Sequence, residues 1–175
     1  MTAKYFVAAV AVVFSVSGPV FAADTVVTTA VSAAVVNRDD STVTPRISKS
    51  VPRSVRKKLE AGIELATERL REVPECRALF EPFGVDGVEK LRTTMYYTPE
   101  KYIESGVGRR SYAFTEVGVR VTWVCRRFAD LTDYRAAMVV IHEALHYAGL
   151  TEAPLDPNGM RSREISSMVA KACGL

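Results

Sequence analysis

The chain holds two histidines, His142 and His146, four residues apart, and Glu143 directly follows the first. Two residues placed at random in 175 positions take that spacing about one time in ninety, and requiring Glu next lowers this below roughly one in a thousand. The arrangement therefore asks for a chemical reason. Four residues of α-helix advance about 6 Å and turn about 40° past a full circle, so both imidazoles leave one face. Their ring nitrogens can then meet one Zn²⁺ at about 2.0–2.1 Å. Glu143, one step round the helix, stands near the ion without ligating it. It can take a proton from a water whose pKa the metal lowers to about 7. The plainer alternative is a pair of surface histidines. Met138, Val139, Val140, Ile141, Ala144, Leu145 and Ala148 make this segment apolar nearly all round, however. Unpartnered imidazoles inside a core are costly, so the metal reading is preferred.

The elements that must position these residues are legible around them. Thr132 to Ala148 reads as a helix, with Asp133 near its start and Gly149 just past its end. Before it, Ala113-Phe114-Thr115, a turn at Glu116-Val117-Gly118 and the run Val119–Cys125 read as a β-hairpin. Val119, Val121, Trp123 and Cys125 share one face of that second strand, with Arg120, Thr122 and Arg126 on the other. After a loop bounded by Pro154, Pro157 and Gly159, Ser162 caps a last helix to about Cys173. Towards the N-terminus, Ser54 caps a helix whose apolar positions Val55, Leu59, Ile63, Ala66 and Leu70 recur at helical steps, ended by Pro74. Shorter helical pieces follow at Cys76–Phe80 and Val85–Thr94, and Pro99 to Arg110 reads as a loop. The expected fold is α+β: a small domain over 51–175 with a central helix, a hairpin before it and a C-terminal helix.

The segment His142-Glu143-Ala144-Leu145-His146, taken from Val139 to Gly149, resembles the HExxH helix of the zincin metallopeptidases. More loosely, Trp123-Val124-Cys125, His142 to Leu150, Pro154 to Pro157 and Ser162-Arg163-Glu164-Ile165 are similar to a group of small exported bacterial proteins of zincin type. The resemblance implies a zincin-like fold and a zinc-dependent hydrolase acting on a peptide or protein. It also implies an upstream strand lining the substrate cleft, a place the strand Val119–Cys125 occupies in sequence. The alternative is an exported zinc-binding module without turnover. Tyr147 and Tyr112 are weaker candidates for stabilising an oxyanion.

A catalytic zinc usually takes three protein ligands, and no third histidine exists. Glu152 would complete a spacing that resembles the metzincin pattern with Glu in place of the final His, Gly149 turning the chain and Met160 offering a loose Met-turn. Glu164, in the first turn of the last helix, resembles the gluzincin arrangement, although Met168 replaces an acidic residue often found four positions later. A helix holds a ligand more rigidly than a loop does, and on that ground Glu164 is slightly favoured.

Composition closes off other classes. The first twenty-two residues, with Lys4 before an apolar run and small residues to Ala22, form a cleavable secretory signal peptide. Ser15, Ser17, Gly18 and Pro19 interrupt the run too early for a membrane span. The mature chain is thus expected to be secreted or periplasmic, with no membrane span. Residues 23–50 read as a flexible leader: Ala, Ser, Thr and Val fill 18 of the 27 positions from Asp24 to Ser50, without an aromatic. The net charge of +3 falls to +2 when Lys4 leaves, too even for a nucleic-acid binder. Export permits disulfides. Cys125 with Cys173 would staple the last helix to the strand before the active helix and leave Cys76 over. Pairings with Cys76 stay open.

Overall fold

A computed structural model of the chain describes residue 44 and residues 46–99 and 111–175. The expected signal peptide, the expected leader up to residue 43 and most of the expected loop from Pro99 to Arg110 lie outside the described residues.

Helix α1 (Arg53–Glu72) buries Val55, Leu59, Ile63, Ala66 and Leu70, the stripe that the sequence period selects. Its start differs from expectation. Pro52 is the N-cap and no side chain caps the helix, so Ser54 lies already inside the first turn. Pro74 does more than stop α1: it is the first residue of α2 (Pro74–Ala78), where the missing N–H costs nothing. A 3₁₀ turn at Glu81–Phe83 leads to α3 (Gly87–Thr93), whose N-cap Asp86 accepts from the N–H of Val88 at 2.7 Å and of Glu89 at 3.3 Å.

Helix α4 (Asp133–Ala148) carries the two histidines and is the centre of the core. Thr132 caps it, accepting from the N–H of Arg135. It packs against α1 at a close approach. A Cβ on Gly62 would sit 2.9 Å from the Cβ of Ala136 and 3.0 Å from its carbonyl carbon, so only glycine fits on the α1 side. Gly149 ends α4 at φ +120°, its N–H reaching the carbonyls of Leu145 and His146.

A four-stranded sheet covers the other side in the order β1 (Arg46–Ile47), β2 (Met95–Tyr97), β4 (Val121–Val124), β3 (Ala113–Thr115). β1, β2 and β4 run parallel, and β3 returns antiparallel to β4 with Phe114 opposite Trp123 and Thr115 opposite Thr122. Strand β1 thus falls inside the expected leader, since Arg46 and Ile47 pair with Met95 and Tyr96. The faces of β4 are also the reverse of what its apolar residues suggest. Thr122 and Val124 are buried, while Trp123 turns outward and stacks on Phe114 at 5.2 Å. Thr122 tolerates burial because its hydroxyl bonds that of Thr115 across the strands at 2.7 Å.

Beyond α4 the chain forms a short parallel pair, β5 (Glu152–Ala153) with β6 (Met160–Arg161), then α5 (Ser162–Cys173). The C-terminal turn of α5 meets α2, and the disulfide joins Cys173 to Cys76. This corrects the Cys125–Cys173 expectation. Cys125 is buried at the head of the 3₁₀ turn Arg126–Asp130, its N–H given to the carbonyl of Tyr112. Among the described residues no helix is long and apolar enough to cross a membrane. The architecture is mixed helix and strand, as expected.

Candidate metal centre

The helical period brings the imidazoles of His142 and His146 together edge to face, their planes 64° apart and Nε2 to Nε2 at 3.1 Å, both side chains buried. Glu152, at the start of β5, completes the cluster. Its Oε2 lies 3.0 Å from Nε2 of His146 and 3.6 Å from Nε2 of His142. A tetrahedral ion with bonds of about 2.0–2.1 Å sets its ligand atoms about 3.3–3.4 Å apart, within the span of these separations. Among the described residues this is the one group of three such side chains that could hold a metal ion.

The outward nitrogens fix how the rings face. Nδ1 of His146 lies 2.8 Å from the carbonyl oxygen of Leu150, which can only accept, so this nitrogen carries a proton and Nε2 is the atom turned to the cluster. Nδ1 of His142 lies 3.1 Å from the hydroxyl of Ser166 on α5. Supporting bonds of this kind orient metal-ligating histidines. Nε2 of His142, Nε2 of His146 and the carboxylate of Glu152 thus converge on one small volume that could hold a cation. Burial and the neighbouring His146 push the pKa of His142 down to about 4, against a smaller upward pull from Glu152. A ring kept neutral is the form that ligates.

Glu143 is buried beside the cluster. Burial raises its carboxyl to about 8, opposed by a hydrogen bond from Thr115 and reinforced by the negative charge of Glu152. Its Oε2 is buried with no hydrogen-bond partner among the described residues. An acid in this position can exchange a proton with a group brought to the cluster. Thr115 belongs to β3, so the hairpin is tied to the helix at this residue, and a second tie runs from the N–H of Gly118 to the carbonyl of His146 at 2.9 Å.

Of the two carboxylates weighed from sequence, the structure brings Glu152 to the histidines and not Glu164. The side chain of Glu164, favoured from sequence, is engaged at its own helix: Oε2 accepts the N–H of Arg161 at 3.0 Å and closes the exposed start of α5. The face that α5 turns to the cluster begins one turn later, at Ser166. Tyr147 and Tyr112 are engaged elsewhere. The Tyr147 ring lies under the Lys90 ammonium at 3.9 Å, and the Tyr112 ring faces the Arg127 guanidinium at 5.1 Å. Met160 stands opposite Glu152 in the β5–β6 pair. Ser166, Thr115 and the Leu150 carbonyl escape a reading of sequence. Only Thr115 has a local signal, since it faces Thr122 across the hairpin.

Comparison with known proteins finds no matching family model, no matching curated protein and no matching solved structure.

Proposed function

We propose that this chain is an exported zinc-dependent hydrolase of zincin type, acting on peptide bonds, with His142, His146 and Glu152 as ligands and Glu143 as general base. One observation carries the reading: two buried imidazoles and a carboxylate meet within 3.0–3.6 Å, and a buried acid stands next to them in sequence. Two imidazoles and one carboxylate are a donor set common at catalytic zinc. When bound, the ion supplies Lewis acidity to a water and to the scissile carbonyl. The chain's own groups do the rest. A bound cation would favour the ionised form of Glu143 over the neutral form that burial favours, and that carboxylate would take the water's proton and later give it to the leaving amine. Thr115 holds the Glu143 carboxyl in place, and Leu150 and Ser166 keep the ligating nitrogens turned inward. The ligand order is similar to the metzincin spacing with Glu152 in place of the last histidine.

The cleft-lining strand fits β3 better than the strand after it. β4 is enclosed between β2 and β3, whereas β3 lies, among the described residues, at the end of the sheet and carries Thr115 to Glu143. A peptide laid along that edge would present its carbonyl groups beside the acid.

Glu143→Gln separates base from ligand. The variant should retain wild-type zinc and lose hydrolysis of a broad peptide library. Loss of zinc in that variant would refute the assigned roles. A wild-type chain that binds zinc and cleaves nothing would favour the alternative, a non-catalytic exported zinc-binding module.

A further inference from the structure

Glu152 stands in the connection between α4 and α5, yet its backbone is enclosed on several sides. Its carbonyl accepts the N–H of Asp156 at 3.1 Å, and the Asp156 carbonyl accepts the N–H of Gly159 at 2.9 Å. The Asp156 carboxylate accepts the N–H of Asn158 at 2.9 Å and is also hydrogen-bonded by the Thr151 side chain. Residues 151–159 therefore form a loop closed on itself, with Glu152 at its root. Beyond the loop, Met160 and Arg161 pair with Glu152 and Ala153.

The tightest contact in this loop is made by an absent side chain. A Cβ on Gly159 would lie 2.8 Å from the carbonyl carbon of Glu152 and 2.9 Å from the amide nitrogens of Glu152 and Ala153. Gly159 does not have the positive φ seen at Gly149, so space is what demands glycine here. All three opposing atoms are backbone and cannot rotate aside. To accept a methyl group, the chain at Gly159 must separate from the Glu152 peptide. Raising the contact from 2.8 Å to an ordinary 3.4 Å needs about 0.6 Å, slightly more than the roughly 0.5 Å within which a metal-binding constellation must be held.

We infer that Gly159 is a positioning residue for the third ligand: its bare backbone lets the loop close onto the Glu152 peptide and sets the carboxylate beside His142 and His146. Asp156 latches the same loop from within. The inference rests on the metal reading above, and it assigns to the Asp156–Gly159 turn a role in ion affinity and geometry that a spacer would not have.

The test measures zinc affinity by chelator competition and the visible spectrum of the Co²⁺-loaded chain, which follows ligand geometry, alongside the melting temperature of the metal-free chain. Gly159→Ala should bind zinc about 10- to 100-fold more weakly than wild type, the range expected when a ligand loses its support, with an altered Co²⁺ spectrum. Gly174→Ala is the control. It introduces strain at φ +62° at the end of α5, where a Cβ meets nothing, and should lower the melting temperature while leaving affinity and spectrum as in wild type. Asp156→Ala loosens the latch without a clash and should weaken zinc in the same direction, which keeps the test open should Gly159→Ala fail to fold. Wild-type affinity and spectrum in a folded Gly159→Ala, or in Asp156→Ala, would overturn the positioning role while the metal reading stood. A wild-type chain that takes up no ion would overturn both.

Discussion

Helix α4 and the loop that follows it bring the proposed ligands to the same point by different physics. In α4 the backbone repeat alone aligns His142 with His146, and packing against α1 at Gly62 and Ala136 holds the helix in the core. In the loop no repeat exists, and Glu152 is held by contacts with residues four to eight positions later. The rigidity that distinguishes helix from loop as a class does not separate these two ligands. A loop closed by hydrogen bonds and a steric contact can position a carboxylate as a helix does.

The comparison can be broken at either end, and the helix end should give the larger effect. His146→Ala should abolish zinc binding in any practical range, since it removes a ligand and leaves Nε2 of His142 beside a lone carboxylate. Glu152→Ala comes next. It should weaken zinc by more than about 100-fold, beyond what losing a supporting group does, whereas Glu164→Ala should leave affinity within about threefold of wild type. Chelator competition on both variants checks the pair. Equal losses would mean that α5 supplies a ligand after all.

Legibility in the sequence followed the same division. Period and punctuation sufficed for α4, for the buried stripe of α1 and for the hairpin that became β3 and β4, because these depend on neighbours one to four residues away. The approach of Glu152 to the histidines, the disulfide and the parallel sheet depend on tertiary contact. Glu164 looked favourable as the helix-borne acid, but an acid three residues past Arg161 can also close the helix start, and that is its use. Cys125 lies near α4 in sequence, yet α5 ends against α2, so Cys76 is the residue within reach of Cys173. Thr122 reads as an outward polar residue and is buried, because the hydroxyl of Thr115 satisfies it.

Two stability measurements sharpen the contrast between core and loop. Removing the disulfide with Cys76→Ser and Cys173→Ser together should cost about 2–5 kcal/mol in denaturant unfolding, since it frees a loop spanning 97 residues. Zinc affinity should change less than stability does, because the bond ties the far end of α5 and Ser166 lies nearer its start. Gly62→Ala should cost about 1–3 kcal/mol by forcing α1 and α4 apart. A variant as stable as wild type would show that the two helices have room to spare.

Metal content tests the central claim most directly. Residues 46–175, purified without chelators and analysed by elemental mass spectrometry, should carry one zinc per chain, or take up one on addition of Zn²⁺, and His146→Ala prepared alongside should carry none. A wild-type chain that is folded, carries no zinc and takes up none would contradict the site, and the proposed hydrolase with it.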